Sequence, residues 1–162
     1  MPEPAPRKRE AVRALLISPD REILLMRTVM PTQGDRVCWI TPGGGLEPGE
    51  DALAGLRREL REETGLSDPA IGPEVWTRRH SFRVHEQTWN QHERFFLVGC
   101  ERFEPSIEQM QEVERDYFQT YRWWPIDAIE NSGELFAPGQ IGRLLDGLLR
   151  DGPPKQPIDT GA

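Results

Sequence analysis

The pattern of apolar and polar positions divides the chain into strand-like and helix-like segments. Short apolar runs bounded by turn residues predict strands, whereas apolar residues spaced three and four apart predict helices. The predicted strands are residues 11–18, 21–29, 37–40, 75–84, 88–100 and 117–124. The predicted helices are residues 50–64 and 139–152, with a short helical segment at 125–129.

Turn residues connect these segments and indicate the fold class. Pro19 and Asp20 separate the first two strands, and residues 85–87 separate the fourth and fifth, so each pair is predicted to form a hairpin. Residues 30–36 form a loop, and the acidic segment 101–116 has room for one helical turn. Strands and hairpins around a central helix, with a second helix near the end, predict an α/β sandwich with a mixed sheet.

The length predicts one domain with its own core. A chain of 162 residues is large enough to bury such a core without disulfides or a structural metal. We expect the domain to cover residues 11–152. Residues 1–10 are proline-rich and then basic, which predicts a flexible N-terminal tail, and residues 153–162 have the composition of a disordered C-terminal tail.

The charge and the hydropathy exclude several classes of protein. A net charge of -7 argues against a general nucleic-acid binder, which normally presents a basic surface. No apolar run approaches membrane-spanning length, and the N-terminus lacks the core of a signal peptide. Cys38 and Cys100 have no metal-type spacing, so reduced thiols are expected rather than a disulfide. These features predict a cytoplasmic protein with no membrane partner.

The helix predicted at residues 50–64 carries its chemistry on one face. Leu53, Leu56, Leu60 and Thr64 share a stripe at helical spacing, which predicts the buried face. A glycine inside a helix costs about 1 kcal/mol relative to alanine. Gly55 is therefore expected to leave open space beside the acidic residues of the neighbouring face.

Three glutamates crowd that neighbouring face. Glu59, Glu62 and Glu63 lie at i, i+3 and i+4, which are adjacent positions on a helix. Their mutual repulsion destabilises the helix by roughly 0.2 to 0.5 kcal/mol per close pair, so helix stability does not explain them. A divalent cation reverses the sign of this interaction. Hard oxygen ligands on a rigid helix suit Mg²⁺ or Mn²⁺ together with substrate phosphates.

The stretch from residue 39 to 66 resembles the Nudix box, G x5 E x7 R E U x E E x G U, in which U is a bulky aliphatic residue. From Gly44 to Leu66 the chain is GGLEPGEDALAGLRRELREETGL, and every specified position matches. A pattern of this length in a loop followed by a helix is highly specific. The flanking strands resemble the family in general pattern.

The resemblance implies a Nudix-type α/β/α sandwich that hydrolyses a nucleoside diphosphate linked to another group, X. Water attacks phosphorus in such enzymes, and Mg²⁺ or Mn²⁺ neutralises the diphosphate. The resemblance implies that Glu59, Glu62 and Glu63 hold the metal and that the backbone carbonyl of Gly43 adds a ligand. Arg58 is expected to orient a glutamate, and we include it among the catalytic residues.

The general base and the substrate contacts are less strongly determined by the sequence. Some relatives use a glutamate of the box as the base, and others use one on a later loop. Glu112, Glu114 and Glu93 are candidates here, and Glu112 is the preferred catalytic residue. For substrate binding, the sequence indicates three residues of the second hairpin, namely Trp76, Arg78 and Phe82.

Several functional alternatives remain open at this level. The group X is compatible with a nucleotide, a dinucleoside polyphosphate or a nucleotide sugar. One alternative is an inactive Nudix-fold binding or regulatory module, although the intact glutamates favour an enzyme. An RNA 5′-end pyrophosphohydrolase is disfavoured by the acidic charge, and an isoprenoid-diphosphate isomerase would need an activated cysteine. Many relatives form homodimers, which the resemblance implies as an expectation here.

Overall fold

One mixed sheet with helices on both faces forms the fold. The computed structural model describes residues 2–31 and 34–161. The strands within these ranges are β1 (Arg7–Ile17), β2 (Glu22–Met30), β3 (Arg36–Ile40), β4 (Gly43–Gly45), β5 (Ile71–Val84), β6 (Gln87–Gly99), β7 (Phe118–Pro125), β8 (Phe136–Ala137) and β9 (Ile158–Asp159). The helices are α1 (Ala52–Thr64), α2 (Glu112–Arg115) and α3 (Ile141–Asp151), with a 3₁₀ turn at Ile126–Ala128. None of these helices combines the length and hydropathy that crossing a membrane requires.

β1 lies at the centre of the sheet. It pairs in parallel with β6 along its whole length, from Arg7 opposite Trp89 to Ile17 opposite Gly99. Its antiparallel pairing with β2 is short and places Ile17 opposite Ile23, whereas another part of β1 pairs with β4. The strand order is β8-β3-β2-β1-β6-β5-β9, with β4 joined to β1 and β7 joined to β2. The predicted α/β fold with a mixed sheet is therefore confirmed.

Apolar side chains fill both faces of this sheet. Ala14 and Leu16 of β1 belong to the core that includes Leu56 of α1. Leu15 and Ile17 belong to a second core, which α3 covers. Successive side chains of a strand point to opposite faces, so a continuous apolar run is required where both faces are covered. The result is a sandwich of helix, sheet and helix.

Local signals define both ends of α1. The side chain of Asp51 accepts a hydrogen bond of 3.3 Å from the backbone N–H of Ala54, which is an N-terminal cap. Gly65 ends the helix in the left-handed conformation, with φ of 77°. Both ends therefore follow from residues that the sequence places at those positions.

The buried face of α1 is rotated from the predicted one. Leu53 is 37% exposed, so its assignment to the buried stripe was wrong, whereas Leu56 and Leu60 are fully buried. The helix turns its acidic side toward the sheet because the glycine-rich loop packs against it. The buried positions of α1 are Gly55, Leu56, Glu59, Leu60, Glu63 and Thr64.

Strand pairing extends some elements beyond their apolar residues. The sequence placed the start of the first strand at residue 11, but β1 begins at Arg7 because its backbone pairs with β6. The segment 153–162, predicted as a disordered tail, contains β9, which pairs in parallel with β5 at Trp76 and Thr77. Of the loop predicted at 30–36, residues 32 and 33 lie outside the described residues.

The second predicted hairpin is confirmed. β5 and β6 are antiparallel, and Val84 lies opposite Gln87. The two residues between them, His85 and Glu86, have φ of 48° and 64°. Positive φ at both central positions matches the right-handed twist of the flanking strands. This hairpin carries the strand residues that line one side of the candidate site.

The rotated face of α1 has a measurable consequence. Replacing Leu56 with alanine should lower the free energy of unfolding by about 2 to 5 kcal/mol, because the side chain is fully buried and leaves a cavity. Leu53→Ala on the same helix is the matched control and should cost less than about 1 kcal/mol. Urea denaturation of both variants measures the difference. Equal losses in the two variants would contradict the observed orientation of α1.

Candidate metal and substrate site

The glycine-rich loop lies directly against β1 at the start of the site. A Cβ atom on Gly43 would lie 2.0 Å from the carbonyl oxygen of Val12, and the φ of Gly43 is +145°. Both facts require glycine at this position. The backbone N–H of Gly43 donates a 2.8 Å hydrogen bond to Glu63 Oε2. The loop and α1 are thus joined through a buried carboxylate.

Three glutamates converge beside this loop. Glu59 and Glu63 come from α1, and Glu114 comes from α2 on the acidic connection. One carboxylate oxygen from each lies within 4.8 Å of the other two. A Cβ atom on Gly44 would lie 2.7 Å from Glu59 Oε1, so the absence of a side chain there admits the carboxylate. The loop therefore contributes space as well as a backbone donor.

The surroundings of these glutamates disfavour negative charge. Burial raises the pKa of Glu59 and, together with Glu114, raises the pKa of Glu63 well above its ordinary value. Burial and the charge of Glu59 raise the pKa of Glu114 to about 7. Glu59 Oε2 and Glu114 Oε2 are buried and have no hydrogen-bond partner among the described residues. Such an oxygen-only donor set fits a hard divalent cation.

Arg58 connects the carboxylates to the loop. Its Nε and Nη2 each donate a 2.8 Å hydrogen bond to Glu50, and its Nη1 donates to Glu59 Oε1 at 3.1 Å. Its Nη2 also reaches the carbonyl oxygen of Gly45 at 3.2 Å. The hydrogen bonds from Arg58 lower the pKa of Glu50 to about 2. Glu62 lies at the edge of this group, with Oε2 at 3.5 Å from Arg58 Nη1.

Gly55 has a packing role that differs from the expected one. The sequence predicted open space beside the glutamates at this position. A Cβ atom on Gly55 would instead lie 2.3 Å from Leu46 Cδ2 and 3.0 Å from Glu50 Oε1. The loop side chains occupy the space, so Gly55 allows the loop to pack against α1.

A buried network of ion pairs lies on the other side of the loop. Arg13 Nε donates to Glu93 Oε2 at 2.6 Å, and Arg78 Nη1 donates to Glu93 Oε1 at 2.5 Å. Arg13 Nη1 also donates to the carbonyl oxygen of Thr41 at 3.0 Å and lies 3.5 Å from that of Gly43. Burial opposes the charge of Arg13, but Glu93 and the box glutamates raise its pKa. Arg13 thus lies between two groups of acids.

This network lines a pocket of about 280 Å³. Arg13, Arg78 and Glu93 are among its polar lining residues, and Cys38, Ile40 and Phe136 are among its apolar ones. Arg13 also reaches the carbonyl oxygens of the glycine-rich loop. The pocket and the carboxylates are therefore neighbours that share Arg13.

The structure separates the three predicted substrate-binding residues. Arg78 lines the pocket. Trp76 is 1% exposed and packs against Phe95 in the core, so its prediction as a substrate contact was wrong. Phe82 lies opposite Trp89 near the hairpin turn and lines a different groove. Trp76 and Arg78 lie two residues apart and so point to the same face of β5, but Trp76 lies opposite Phe95 in the core, whereas Arg78 lies opposite Glu93 at the pocket.

The glutamate of the acidic connection that lies beside the box glutamates is Glu114, whereas the sequence favoured Glu112. Glu112 is exposed, whereas Glu114 points toward Glu59 and Glu63. The two residues lie on one short helix, and sequence spacing does not show which side faces the protein. Arg13 was not among the site residues predicted from the sequence, although an arginine inside an apolar strand indicates a buried charge. Buried charges of this kind require a partner, which Glu93 provides.

The raised pKa values predict how the stability of the metal-free protein depends on pH. The folded protein holds protons on Glu59, Glu63 and Glu114 at pH values where the unfolded chain has released them. Stability therefore falls as the pH rises from about 5 to about 8. Thermal unfolding with a chelator should show the melting temperature decreasing across this range.

Two variants isolate the contribution of Glu114. Glu114→Gln should reduce the pH dependence, because one of the three titrating groups is removed. Glu108→Gln, an exposed acid on the same connection, is the control and should leave the dependence unchanged. A melting temperature that rises with pH over this range would contradict the electrostatic account.

Comparison with known proteins places this geometry in a family. A family model described as NUDIX domain matches residues 7–143. The nucleoside triphosphatase NudI of Salmonella arizonae is 37% identical over 101 residues, which cover 60% of this chain and 64% of NudI. The matched segment thus spans less than two thirds of that relative's length.

Solved structures show the same fold. The solution structure of the E. coli ORF135 protein has 27% identity and a TM-score of 0.59, covering 93% of this chain and 96% of that chain. The MutT protein of Methanosarcina mazei Go1 has 21% identity and a TM-score of 0.67, covering 93% and 98%. A C. elegans Ap4A hydrolase has 17% identity and a TM-score of 0.59, covering 88% and 98%. The last two similarities show a shared fold and nothing more.

The family model covers most of the chain. The glycine-rich loop, the glutamate-bearing helix and the mixed sheet occur together within the matched residues. This protein therefore belongs to the Nudix hydrolase family.

Proposed function

We propose that this Nudix hydrolase cleaves a diphosphate linkage in a nucleoside diphosphate linked to X, with Mg²⁺ or Mn²⁺ as cofactor. The observation that carries the proposal is the convergence of Glu59, Glu63 and Glu114 in a buried site, with two carboxylate oxygens lacking a partner among the described residues. Buried like charges destabilise the fold unless a cation or protons neutralise them. A cation there would also face a substrate's phosphates.

The metal ligands in this proposal come from α1 and the loop. Glu59 and Glu63 would hold the ion, with Glu62 at the open edge of the group and the carbonyl oxygen of Gly43 completing the box contribution. When bound, the ion would neutralise the diphosphate oxygens and increase the acidity of water. Arg58 would keep Glu59 in place through the hydrogen bond that joins them.

Glu114 is the general base that the geometry favours over the two other candidates. Glu93 accepts hydrogen bonds from Arg13 and Arg78, so its oxygens are already engaged. Glu112 is exposed and lies outside the converging group. Glu114 Oε2 is buried and without a partner in the described part of the chain. It would take the proton of the water that attacks phosphorus.

A nucleoside triphosphate is the substrate class that we propose first. The pocket of about 280 Å³ is slightly smaller than the usual range for ligand pockets, so one base with its sugar suits it. Arg13 would face the phosphates because it joins the pocket to the loop. The relative NudI is described as a nucleoside triphosphatase, which supports this choice.

Activity measurements test the proposed roles. Glu59→Gln, Glu63→Gln and Glu114→Gln should each lower kcat for nucleoside triphosphate hydrolysis by about 10²- to 10⁴-fold, because each removes a metal ligand or the base. Phosphate or pyrophosphate release with Mg²⁺ and with Mn²⁺ provides the readout. Dinucleoside polyphosphates and nucleotide sugars belong in the same substrate screen.

Two further variants separate the candidates on the acidic connection. Glu112→Gln should retain activity if Glu114 is the base, and Glu108→Gln is the exposed control. A large loss in Glu112→Gln with normal turnover in Glu114→Gln would reverse the assignment. Calorimetry provides an independent readout, because Mg²⁺ binding should weaken in Glu63→Gln and persist in Glu108→Gln.

A further inference from the structure

The pocket beside Arg13 is rich in hydrogen-bond donors. Three arginines, Arg13, Arg36 and Arg78, line it. Among the described lining residues, one carboxylate, that of Glu93, faces them. A guanidinium group donates hydrogen bonds and accepts none. The charged side chains of the pocket therefore have more donors than acceptors.

Both carboxylate oxygens of Glu93 already accept hydrogen bonds. Its Oε2 accepts from Arg13 Nε at 2.6 Å, and its Oε1 accepts from Arg78 Nη1 at 2.5 Å. His80 Nε2 lies a further 3.2 Å from Oε1. Glu93 is 2% exposed, so its carboxylate is largely shielded from water. A ligand that offers an amino group would have to compete with these ion pairs.

The protein does not satisfy every donor of the Arg78 guanidinium, which lines the pocket. Arg78 Nε is buried and has no hydrogen-bond partner within the described residues. A guanidinium that the protein leaves incompletely satisfied favours a neighbouring acceptor over a second donor. Because Arg78 lines the pocket, we expect a bound ligand to present an acceptor atom toward it.

The apolar part of the pocket indicates what kind of group carries that acceptor. Met30, Ile40 and Phe136 line it together with the arginines. Apolar walls suit the faces of a flat heterocycle and would not suit a phosphate, which needs polar contacts all round. Arg13, at the boundary with the glycine-rich loop, is the cation nearest to the phosphate side.

We propose that this pocket prefers nucleotides whose base carries a keto oxygen at the position where adenine and cytosine carry an amino group. Arg78 is the residue that donates a hydrogen bond to this keto oxygen. Guanine and hypoxanthine present O6 and N7 as acceptors, and uracil presents O4, whereas adenine and cytosine present amino donors there. The inference rests on the proposed function, since it assigns the base preference of the same site.

Matched pairs of substrates test this selectivity. ITP and ATP differ at position 6 of the purine, and UTP and CTP differ at position 4 of the pyrimidine. In each pair the keto nucleotide should have the higher kcat/KM, by about tenfold or more. The same order should appear in binding, measured as the thermal shift that each nucleotide produces in the hydrolysis-deficient Glu63→Gln variant.

Substitution of Arg78 tests the residue. Arg78→Lys keeps a cation beside Glu93 but removes the planar guanidinium and its fixed donors, so the ratio of kcat/KM between ITP and ATP should fall toward one. Arg79→Lys is the matched control, because Arg79 is the exposed neighbour on the same strand. Its ratio should equal that of the unmodified protein. Melting temperatures of both variants confirm that each is folded.

The outcomes distinguish this inference from the proposed function. Hydrolysis of all four nucleotides with equal kcat/KM, or with the amino bases preferred, overturns the inference and leaves the proposed function intact. A keto preference that persists in Arg78→Lys overturns the assignment to Arg78. Keto-selective thermal shifts without hydrolysis support the inference while the proposed function fails. No hydrolysis together with no thermal shift overturns both.

Discussion

Mutual repulsion of carboxylates in a poorly solvated place is the constraint on which the rest of this site depends. Glu59, Glu63 and Glu114 come from two separate helices, and each has a raised pKa because burial disfavours its charge. Nothing in the packing of an isolated helix favours this arrangement. The loop at Gly43 and the guanidinium of Arg58 hold the acids in place through hydrogen bonds. A fold that maintains such a cluster is stabilised by a positive charge within it, which a divalent cation supplies.

Charges of opposite sign alternate from this cluster to the neighbouring pocket. Arg13 lies between the box glutamates and Glu93, and Glu93 in turn holds Arg78. Arg13, Glu93 and Arg78 therefore each have a partner of the opposite sign, as low-dielectric surroundings require. The same alternation suits a nucleotide, because its phosphates need cations at one end and its base needs directed hydrogen bonds at the other. Acidic metal ligands and basic substrate contacts can thus coexist in a protein whose net charge is -7.

Local sequence signals predicted most of the elements and part of the site. The ends of α1, the turn at His85 and the apolar run of β1 depend on neighbouring residues, so each could be inferred without a tertiary structure. The orientation of α1 could not be inferred in this way, because either the stripe that includes Leu53 or the acidic side of the helix could be the buried face. The loop decides between these two faces because the backbone N–H of Gly43 donates a hydrogen bond to Glu63. Trp76 shows the same limit, since the pairing of β5 with β6 places it opposite Phe95 in the core.

By itself the sequence determined the family, the loop and helix that carry the box, and the acids of α1, because these follow from spacing along a few turns of chain. Tertiary structure decided which distant residues complete the site. Glu114 joins the box glutamates from a helix about fifty residues further along the chain, and Arg13 reaches Glu93 through the parallel pairing of β1 with β6. Strand register and helix packing determine those partners. Both depend on the whole fold, so the spacing of nearby residues in the sequence does not predict them.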